Sequence, residues 1–146
     1  MLAVIDYGSG NLKSVSQALG RAARESGLRE EVVVTKNPDD LYLANRVVLP
    51  GVGAFGDCML GLERIPGMKE ALEETVLAIG KPFLGICVGM QLMASIGTEN
   101  GRHKGLSWIE GEVVPLPRGA WKVPHMGWNE LVISQEHFVF KDIPEQ

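Results

Sequence analysis

The stretch Lys81-Pro82-Phe83-Leu84-Gly85-Ile86-Cys87-Val88-Gly89-Met90-Gln91 is an apolar run that ends in Gly-x-Cys-x-Gly. This pattern is typical of a nucleophile presented on a sharp turn between a strand and a helix. The two glycines allow the backbone to turn tightly beside the thiol without a Cβ clash. The helix that follows points free N–H groups at the sulfur, which favours thiolate over thiol. The stretch therefore predicts Cys87 as a nucleophile.

Short apolar or β-branched runs bounded by Gly, Pro or Asn predict four buried parallel strands. They are Leu2–Ile5, Glu31–Thr35, Arg46–Leu49 and Pro82–Ile86. Helical patterns alternate with these strands. The predicted helices are one capped by Asn11 and stopped by Gly27, a short one opened by Asn37-Pro38, and one over Met68–Ile79. This alternation predicts an α/β fold with an open, doubly wound, mostly parallel sheet.

The amino-acid composition changes after Gly97, where Gly and Pro become frequent and three tryptophans occur. Glu112–Leu116 and Glu130–Ile133 have the pattern of strands. We predict that these are antiparallel strands or a hairpin, added to the sheet after about residue 105.

Composition and charge exclude several classes of protein. The chain has 146 residues, 45% of them hydrophobic, and a formal net charge of −4, which fits one globular domain over residues 1–146. No cluster of Lys or Arg predicts binding to nucleic acid or to a membrane surface. The N-terminus has no signal-peptide pattern, and no stretch is long enough to span a membrane. Cys58 and Cys87 lack the spacing of a zinc or redox site, so we expect a reducing cytoplasm and no metal.

Three Gly-rich loops should meet at the carboxyl edge of such a sheet, where ligands bind. They are Gly8-Ser9-Gly10, Pro50-Gly51-Val52-Gly53 and the turn at Cys87. The run from Gly51 to Gly56 also matches the Gly-x-Gly-x-x-Gly dinucleotide fingerprint. It falls in the third βα unit, however, and no second-strand acid follows at the expected distance. We therefore interpret this match as coincidental and do not predict dinucleotide binding. We interpret Cys58 as a small buried hydrophobic residue.

Three motifs together resemble the class I (triad) glutamine amidotransferases. They are Pro50-Gly51-Val52-Gly53, Gly85-Ile86-Cys87-Val88-Gly89-Met90-Gln91 and Lys122-Val123-Pro124-His125-Met126-Gly127-Trp128-Asn129. Gly8-x-Gly10-Asn11-Leu12 and the Pro-His-Met-Gly-Trp-Asn block narrow the resemblance to the glutaminase subunits of imidazole glycerol phosphate synthase, over essentially the full chain. The resemblance implies a flavodoxin-like fold and a glutaminase that needs no cofactor.

The resemblance also implies a role for each matching residue. Cys87 would attack the amide of glutamine, and the ammonia would pass to a (β/α)8-barrel cyclase subunit in a 1:1 heterodimer. The backbone of Gly51, Val52 and Gly53 would form the oxyanion hole together with the Val88 N–H, and Gln91 would hold the substrate. The residues that match the cyclase-docking face are Asn11, Lys13, His125, Met126, Trp128 and Asn129.

The sequence departs from the family pattern at the catalytic histidine and glutamate. The family takes both from a His-Pro-Glu or similar segment, and no His-x-Glu occurs here. We interpret His103 as a solvated surface residue, His137 as an ordinary histidine and His125 as a docking residue. We therefore expect a domain that is C-terminally incomplete relative to the family. Two alternatives stay open: a catalytically incomplete partner-binding module, and a related cysteine hydrolase of the same fold.

Overall fold

The computed structural model describes residues 1–117, 119, 123–124, 126–130 and 132–141. It contains two compact units, Met1–Pro115 and Leu116–Gln146. The elements of the first unit are β1 (Leu2–Ile5), α1 (Leu12–Glu25), β2 (Val32–Thr35), α2 (Asp39–Leu43), β3 (Arg46–Gly51), α3 (Phe55–Glu63), α4 (Met68–Leu72), a π-helix (Glu73–Ala78), β4 (Phe83–Cys87), α5 (Val88–Gln91), β5 (Ala94–Gly97), β6 (His103–Lys104) and β7 (Ile109–Val113). In the second unit, Phe138–Phe140 forms a 3₁₀ helix.

Four parallel strands form the central sheet in the order β2-β1-β3-β4. Each begins and ends within two residues of its predicted bounds, so the predicted parallel sheet is confirmed. Because the strands run in the same direction, their carboxyl ends lie at one edge. In the register of β3 and β4, Gly51 pairs with Cys87 at that edge.

The two faces of the central sheet are covered unequally. Side chains of successive strand residues point to opposite faces, so Ala3 and Ile5 face one layer while Leu2 and Val4 face the other. The first layer is the larger core and includes residues of α2, α3, α4 and α5. The second layer is covered by α1. Each fully buried Leu, Ile or Phe of these layers contributes about 1.5–3 kcal/mol relative to exposure.

Helix α1 follows the sequence prediction closely. The Asn11 side chain accepts a hydrogen bond from the Ser14 N–H at 3.3 Å, which satisfies one of the unpaired amides of the first turn. The helix ends at Glu25, and Gly27 follows with a φ of +70° that favours glycine. None of the helices in the described part of the chain is long and apolar enough to cross a membrane.

The predicted helix over Met68–Ile79 begins at Met68 but changes its type at Glu73. It is α-helical over Met68–Leu72 and π-helical over Glu73–Ala78. The buried Thr75 hydroxyl donates a 2.6 Å hydrogen bond to the carbonyl of Ala71. That carbonyl is the acceptor that an α-helical Thr75 N–H would use, so the hydroxyl competes with the regular helical bond. The periodic pattern of apolar residues gives no sign of this competition, so it predicts one regular helix.

The second sheet differs from the prediction in strand position and direction. It has the order β6-β5-β7, in which β6 is antiparallel to β5 and β7 is parallel to it. The predicted antiparallel strand Glu112–Leu116 is replaced by β7, because the N–H groups of Trp108 and Ile109 bond to the Met93 carbonyl and start the strand earlier. Two chain reversals between β5 and β7 make that pair parallel.

The second predicted strand, Glu130–Ile133, falls in the second unit. Residues 130, 132 and 133 are not in a strand, and Leu131 lies outside the described residues. These three side chains are exposed or half-buried, so they lack the buried face that stabilises a strand.

Candidate active site

Cys87 occupies a strained turn between β4 and α5. It is the last residue of β4 and the N-cap of α5, with φ 55° and ψ −119°. A non-glycine residue at such a positive φ costs on the order of 1–3 kcal/mol and persists only where the surrounding structure enforces it. The thiol of Cys87 is exposed, whereas Cys58 is buried. This is the backbone geometry of a nucleophile elbow.

The two glycines that flank Cys87 are required by close packing. A Cβ on Gly89 would lie 1.8 Å from the carbonyl oxygen of Leu49 in β3. A Cβ on Gly85 would lie 2.6 Å from the Cα of Met90. Because glycine has no side chain, α5 can pack directly against the ends of β3 and β4. Any other residue at either position would clash with the backbone. This packing places Cys87 at the edge of the sheet.

The loop Gly51-Val52-Gly53 lies beside the elbow, as the sequence predicts. A Cβ on Gly51 would lie 2.6 Å from the Gly89 nitrogen and 3.0 Å from the Val88 carbonyl carbon. Val52 is 63% exposed, and Gly53 has a φ of +119° that strongly favours glycine. The structure therefore brings Cys87, Val88 and the loop together.

The peptide N–H of Val52 is already used within the protein. It donates a 2.9 Å hydrogen bond to Oγ of Ser9, and the Ser9 hydroxyl donates a 2.6 Å bond to the Val52 carbonyl. The buried Cys58 Sγ lies 3.3 Å from the same hydroxyl oxygen. Sequence reasoning found the loops that carry Ser9 and Val52 but not this contact between them.

Tyr7 forms the floor of the loop. A Cβ on Gly51 would lie 2.7 Å from its hydroxyl oxygen, and this buried hydroxyl has no hydrogen-bond partner among the described residues. Burial, and next the neighbouring Cys58, raise the pKa of the Tyr7 phenol above its usual value. The phenol is therefore neutral at physiological pH and is unsuited to act as a base.

Gln91, the last residue of α5, lines a small cavity whose lining does not include Cys87. It lies four residues, about one helical turn, after Cys87, and the cavity measures about 190 Å³. Glu99 also lines it, and its carboxylate accepts a 3.0 Å hydrogen bond from the Phe55 N–H at the start of α3. Sequence reasoning missed Glu99, although an acid two residues beyond the end of a strand is a usable signal.

A larger cavity of about 430 Å³ lies at the carboxyl ends of β1 and β3. Its lining includes Ser9, Val52 and Gly53 but not Cys87. Its charged side chains are Asp6, Lys36, Asp57 and Arg64. Within the part of the chain that is described, no group of three or more His, Cys, Asp or Glu is arranged to hold a metal ion.

The sequence profile of the family described as glutamine amidotransferase class-I matches residues 3–146. The chain belongs to this family. The elbow at Cys87 and the loop beside it are thus parts of a class-I amidotransferase.

Individual relatives of this amidotransferase share its sequence over most of its length. The chain is 52% identical to imidazole glycerol phosphate synthase subunit HisH of Rhodopseudomonas palustris, over 98% of this chain and 67% of the relative. It is 57% identical to the same subunit of Rhodospirillum rubrum, over 89% and 62%. For the subunit of Zymomonas mobilis the values are 56%, 92% and 63%. The chain thus spans about two thirds of the length of these relatives.

The residues predicted to dock on a partner are distributed over both units of the amidotransferase. In the first unit, Asn11 caps α1 and Lys13 is exposed. In the second unit, Met126 and Trp128 are 86% and 103% exposed, and Asn129 Oδ1 accepts a bond from the Glu130 N–H. His125 lies outside the described residues.

The two histidines that the structure describes have local structural roles. His103 is half-buried rather than solvated as predicted, because its ring packs against Gly56, where a Cβ would lie 2.7 Å from it. His137 Nδ1 accepts a hydrogen bond from the Val139 N–H and caps the 3₁₀ helix. The contact with His103 also explains Gly56, the third glycine of the apparent dinucleotide fingerprint.

The close packing of Gly89 generates a stability prediction. Gly89→Ala should lower the free energy of unfolding by about 3 kcal/mol or more, because the added methyl meets the Leu49 carbonyl and neither backbone can yield. Denaturant unfolding measures this change.

Gly20→Ala is the matched control. Gly20 lies in α1, where a Cβ would meet only the far end of the Arg24 side chain at 3.5 Å. It should raise stability by roughly 0.5–1 kcal/mol, since glycine is a poor helix former. Equal effects of the two substitutions would contradict the proposed packing.

Proposed function

We propose that this chain is the glutaminase part of an imidazole glycerol phosphate synthase and hydrolyses glutamine to glutamate and ammonia through Cys87. The observation that carries the proposal is the exposed Cys87 thiol at positive φ, beside the Gly51-Val52-Gly53 loop. The names of the HisH relatives support the assignment to this synthase.

The reaction divides into two steps at one sulfur. The Cys87 thiolate attacks the carboxamide carbon of glutamine, and negative charge develops on the amide oxygen. The N–H of Val88 and an N–H of the loop stabilise that oxygen. The C–N bond then breaks, and ammonia leaves with an added proton. Water next attacks the glutamyl thioester, which releases glutamate and returns the thiol.

The cavity lined by Gln91 and Glu99 is suited to the amino-acid end of the substrate. Free glutamine carries an ammonium group, and the Glu99 carboxylate offers it a charge-assisted hydrogen bond. The Gln91 amide can both donate and accept hydrogen bonds. Glu99 is held by the Phe55 N–H, so its carboxylate is oriented before the substrate arrives.

Both steps of the reaction also require proton transfers. Protonating the leaving ammonia and activating water require a general acid and base, which the resemblance assigns to a His and a Glu of a His-Pro-Glu-type segment. No His-x-Glu occurs in these 146 residues, which match about two thirds of the relatives' length. In this proposal residues 1–146 supply the nucleophile and the oxyanion donors.

The ammonia would pass to a partner, the (β/α)8-barrel cyclase subunit implied by the resemblance, in a 1:1 heterodimer. The exposed Trp128 and Met126 support a docking role, because a fully exposed tryptophan becomes a strong contact once a partner covers it. The resemblance also implies docking roles for Asn11, Lys13, His125 and Asn129. The assembled enzyme would act in histidine biosynthesis in the cytoplasm.

Cys87 should be alkylated by a glutamine analogue that carries a diazo ketone, because the elbow leaves Cys87 exposed. We expect one adduct per chain at Cys87, formed more slowly when glutamine is present. Peptide mass spectrometry locates the adduct. Cys87→Ala should abolish it, whereas Cys58→Ala should retain it. Equal labelling of Cys87→Ala would contradict the proposal. The absence of an adduct from both the unsubstituted protein and Cys87→Ala would favour a partner-binding module.

Glu99→Gln should raise the glutamine concentration that gives half-maximal protection by about ten-fold. The neutral amide oxygen can still accept from the Phe55 N–H, so the start of α3 is preserved while the charge is removed. The analogue carries the same ammonium group, so it too should bind more weakly, but the maximal rate of labelling at saturating analogue should stay within about two-fold because the thiol is unchanged. Glu63→Gln, an exposed acid of α3, is the control and should leave protection unchanged. Unchanged protection in Glu99→Gln would exclude an ammonium site here.

Trp128→Ala should weaken binding to the purified cyclase subunit by about 30-fold, since buried aromatic anchors contribute about 2 kcal/mol or more. Isothermal titration calorimetry measures this loss. Phe138→Ala is the control, because Phe138 is 81% exposed but lies outside the docking motif. An equal loss in both variants would argue against Trp128 as a specific anchor.

A further inference from the structure

The strand order opens a crevice between β1 and β3. In the order β2-β1-β3-β4, the chain leaves β1 to form β2 on one side and then returns to form β3 on the other side. Helix α1, which follows β1, covers the layer of Val4, whereas α3, which follows β3, lies in the opposite layer with Ile5. Neighbouring strands whose helices lie on opposite faces leave a crevice beyond their carboxyl ends, where open α/β sheets bind ligands.

The cavity of about 430 Å³ lies in this crevice. Its walls are the β1–α1 loop, the β3–α3 loop and one face of α3. Gly61 lets these walls approach, because a Cβ there would lie 2.7 Å from the Tyr7 carbonyl oxygen. The lining does not include Cys87 and shares no residue with the lining of the cavity at Gln91. The proposed glutaminase reaction therefore leaves this cavity without a role.

Two side chains of opposite charge line the cavity from the same helix. Asp57 lies in the first turn of α3, and Arg64 caps its C-terminal end. They are seven residues apart, about 10.5 Å along the axis, which places them on one face of the helix. Although helical side chains lean toward the N-terminus, Arg64 forms no ion pair with Asp57. Neither of them forms an ion pair with any residue that the structure describes.

The other two charges of the cavity are already paired. Lys36 Nζ lies 3.5 Å from Asp6 Oδ2, and Asp6 Oδ1 accepts a 3.0 Å hydrogen bond from the Gly8 N–H. Asp57 is thus the carboxylate that remains available to a ligand. Because the two acids and two bases of the cavity sum to zero charge, a ligand that carries both charges is more complementary to it than a simple anion or cation.

We propose that this cavity is a second ligand site, which binds a free α-amino acid between Arg64 and Asp57. The Arg64 guanidinium binds the carboxylate of the ligand through paired hydrogen bonds, and the Asp57 carboxylate binds its ammonium group. The side chain of the ligand packs against Val52 and Ile65, two apolar residues of the lining. This inference does not depend on the proposed glutaminase function, because the site uses neither Cys87 nor Gln91.

L-Alanine is the probe, because its charged groups and Cβ are common to the chiral amino acids of proteins. NMR titration of the full protein measures its binding through the amide shifts of Gly8 and Gly61, which line the cavity. We expect a dissociation constant of about 1 mM. N-Acetyl-L-alanine lacks the ammonium group and L-alaninamide lacks the carboxylate, so each should bind about ten-fold more weakly than L-alanine.

Two substitutions assign these charges to their partners. Arg64→Gln should weaken binding of L-alanine about ten-fold and leave binding of L-alaninamide unchanged, because that analogue has no carboxylate. Asp57→Asn should weaken binding of L-alanine by a similar factor and leave binding of N-acetyl-L-alanine unchanged. Arg29→Gln and Glu63→Gln are the controls, since both residues are exposed and lie outside the cavity. Neither should change any of these affinities.

The absence of saturable shifts at Gly8 and Gly61 with L-alanine would overturn the proposed site. Equal binding of L-alanine and N-acetyl-L-alanine would overturn the contact with Asp57 and indicate a simple anion site. The two analogues test both contacts without altering the protein, so this test does not require the variants to fold. Cys87→Ala should bind L-alanine as tightly as the unsubstituted protein does, and loss of binding in that variant would show that the ligand occupies the site at Cys87 instead.

Discussion

The contact between Gly89 of α5 and the carbonyl of Leu49 in β3 is the constraint on which the site depends. Because α5 lies this close to the sheet, the chain must reverse within one residue, and that residue is Cys87 at φ 55°. The same packing places Gly51 against the Val88–Gly89 peptide. Cys87 and the adjoining loop are thus positioned by backbone contacts, which side-chain rotation cannot relax.

The elbow at Cys87 and the loop beside it are held in different ways. The elbow is fixed by glycines that no other residue could replace without a clash, whereas Val52 is exposed and held by hydrogen bonds to one serine hydroxyl. Tyr7 lies beneath the loop as a neutral, buried phenol. Cys87 is therefore held by backbone packing, whereas the Val52 peptide is held by hydrogen bonds to Ser9.

The features that the sequence predicts well are local ones. The central strands follow from short apolar runs bounded by Gly and Pro, and the sharp turn at Cys87 follows from its flanking glycines. The features missed by sequence reasoning depend on distant contacts: Ser9 meets Val52 across 43 residues, and Glu99 meets Phe55 across 44. The π-helix at Thr75 and the parallel direction of β7 depend on single hydrogen bonds and on chain reversals, which leave no periodic pattern.

The central claim is that Cys87 forms a thioester with glutamine. Acid quenching of the full protein during turnover of radiolabelled glutamine, followed by peptide mapping, measures this intermediate directly. The account predicts a glutamyl group on the peptide that contains Cys87, released by hydroxylamine and absent from Cys87→Ala. Glutamine turnover without an adduct on Cys87, or with the same adduct in Cys87→Ala, would contradict it.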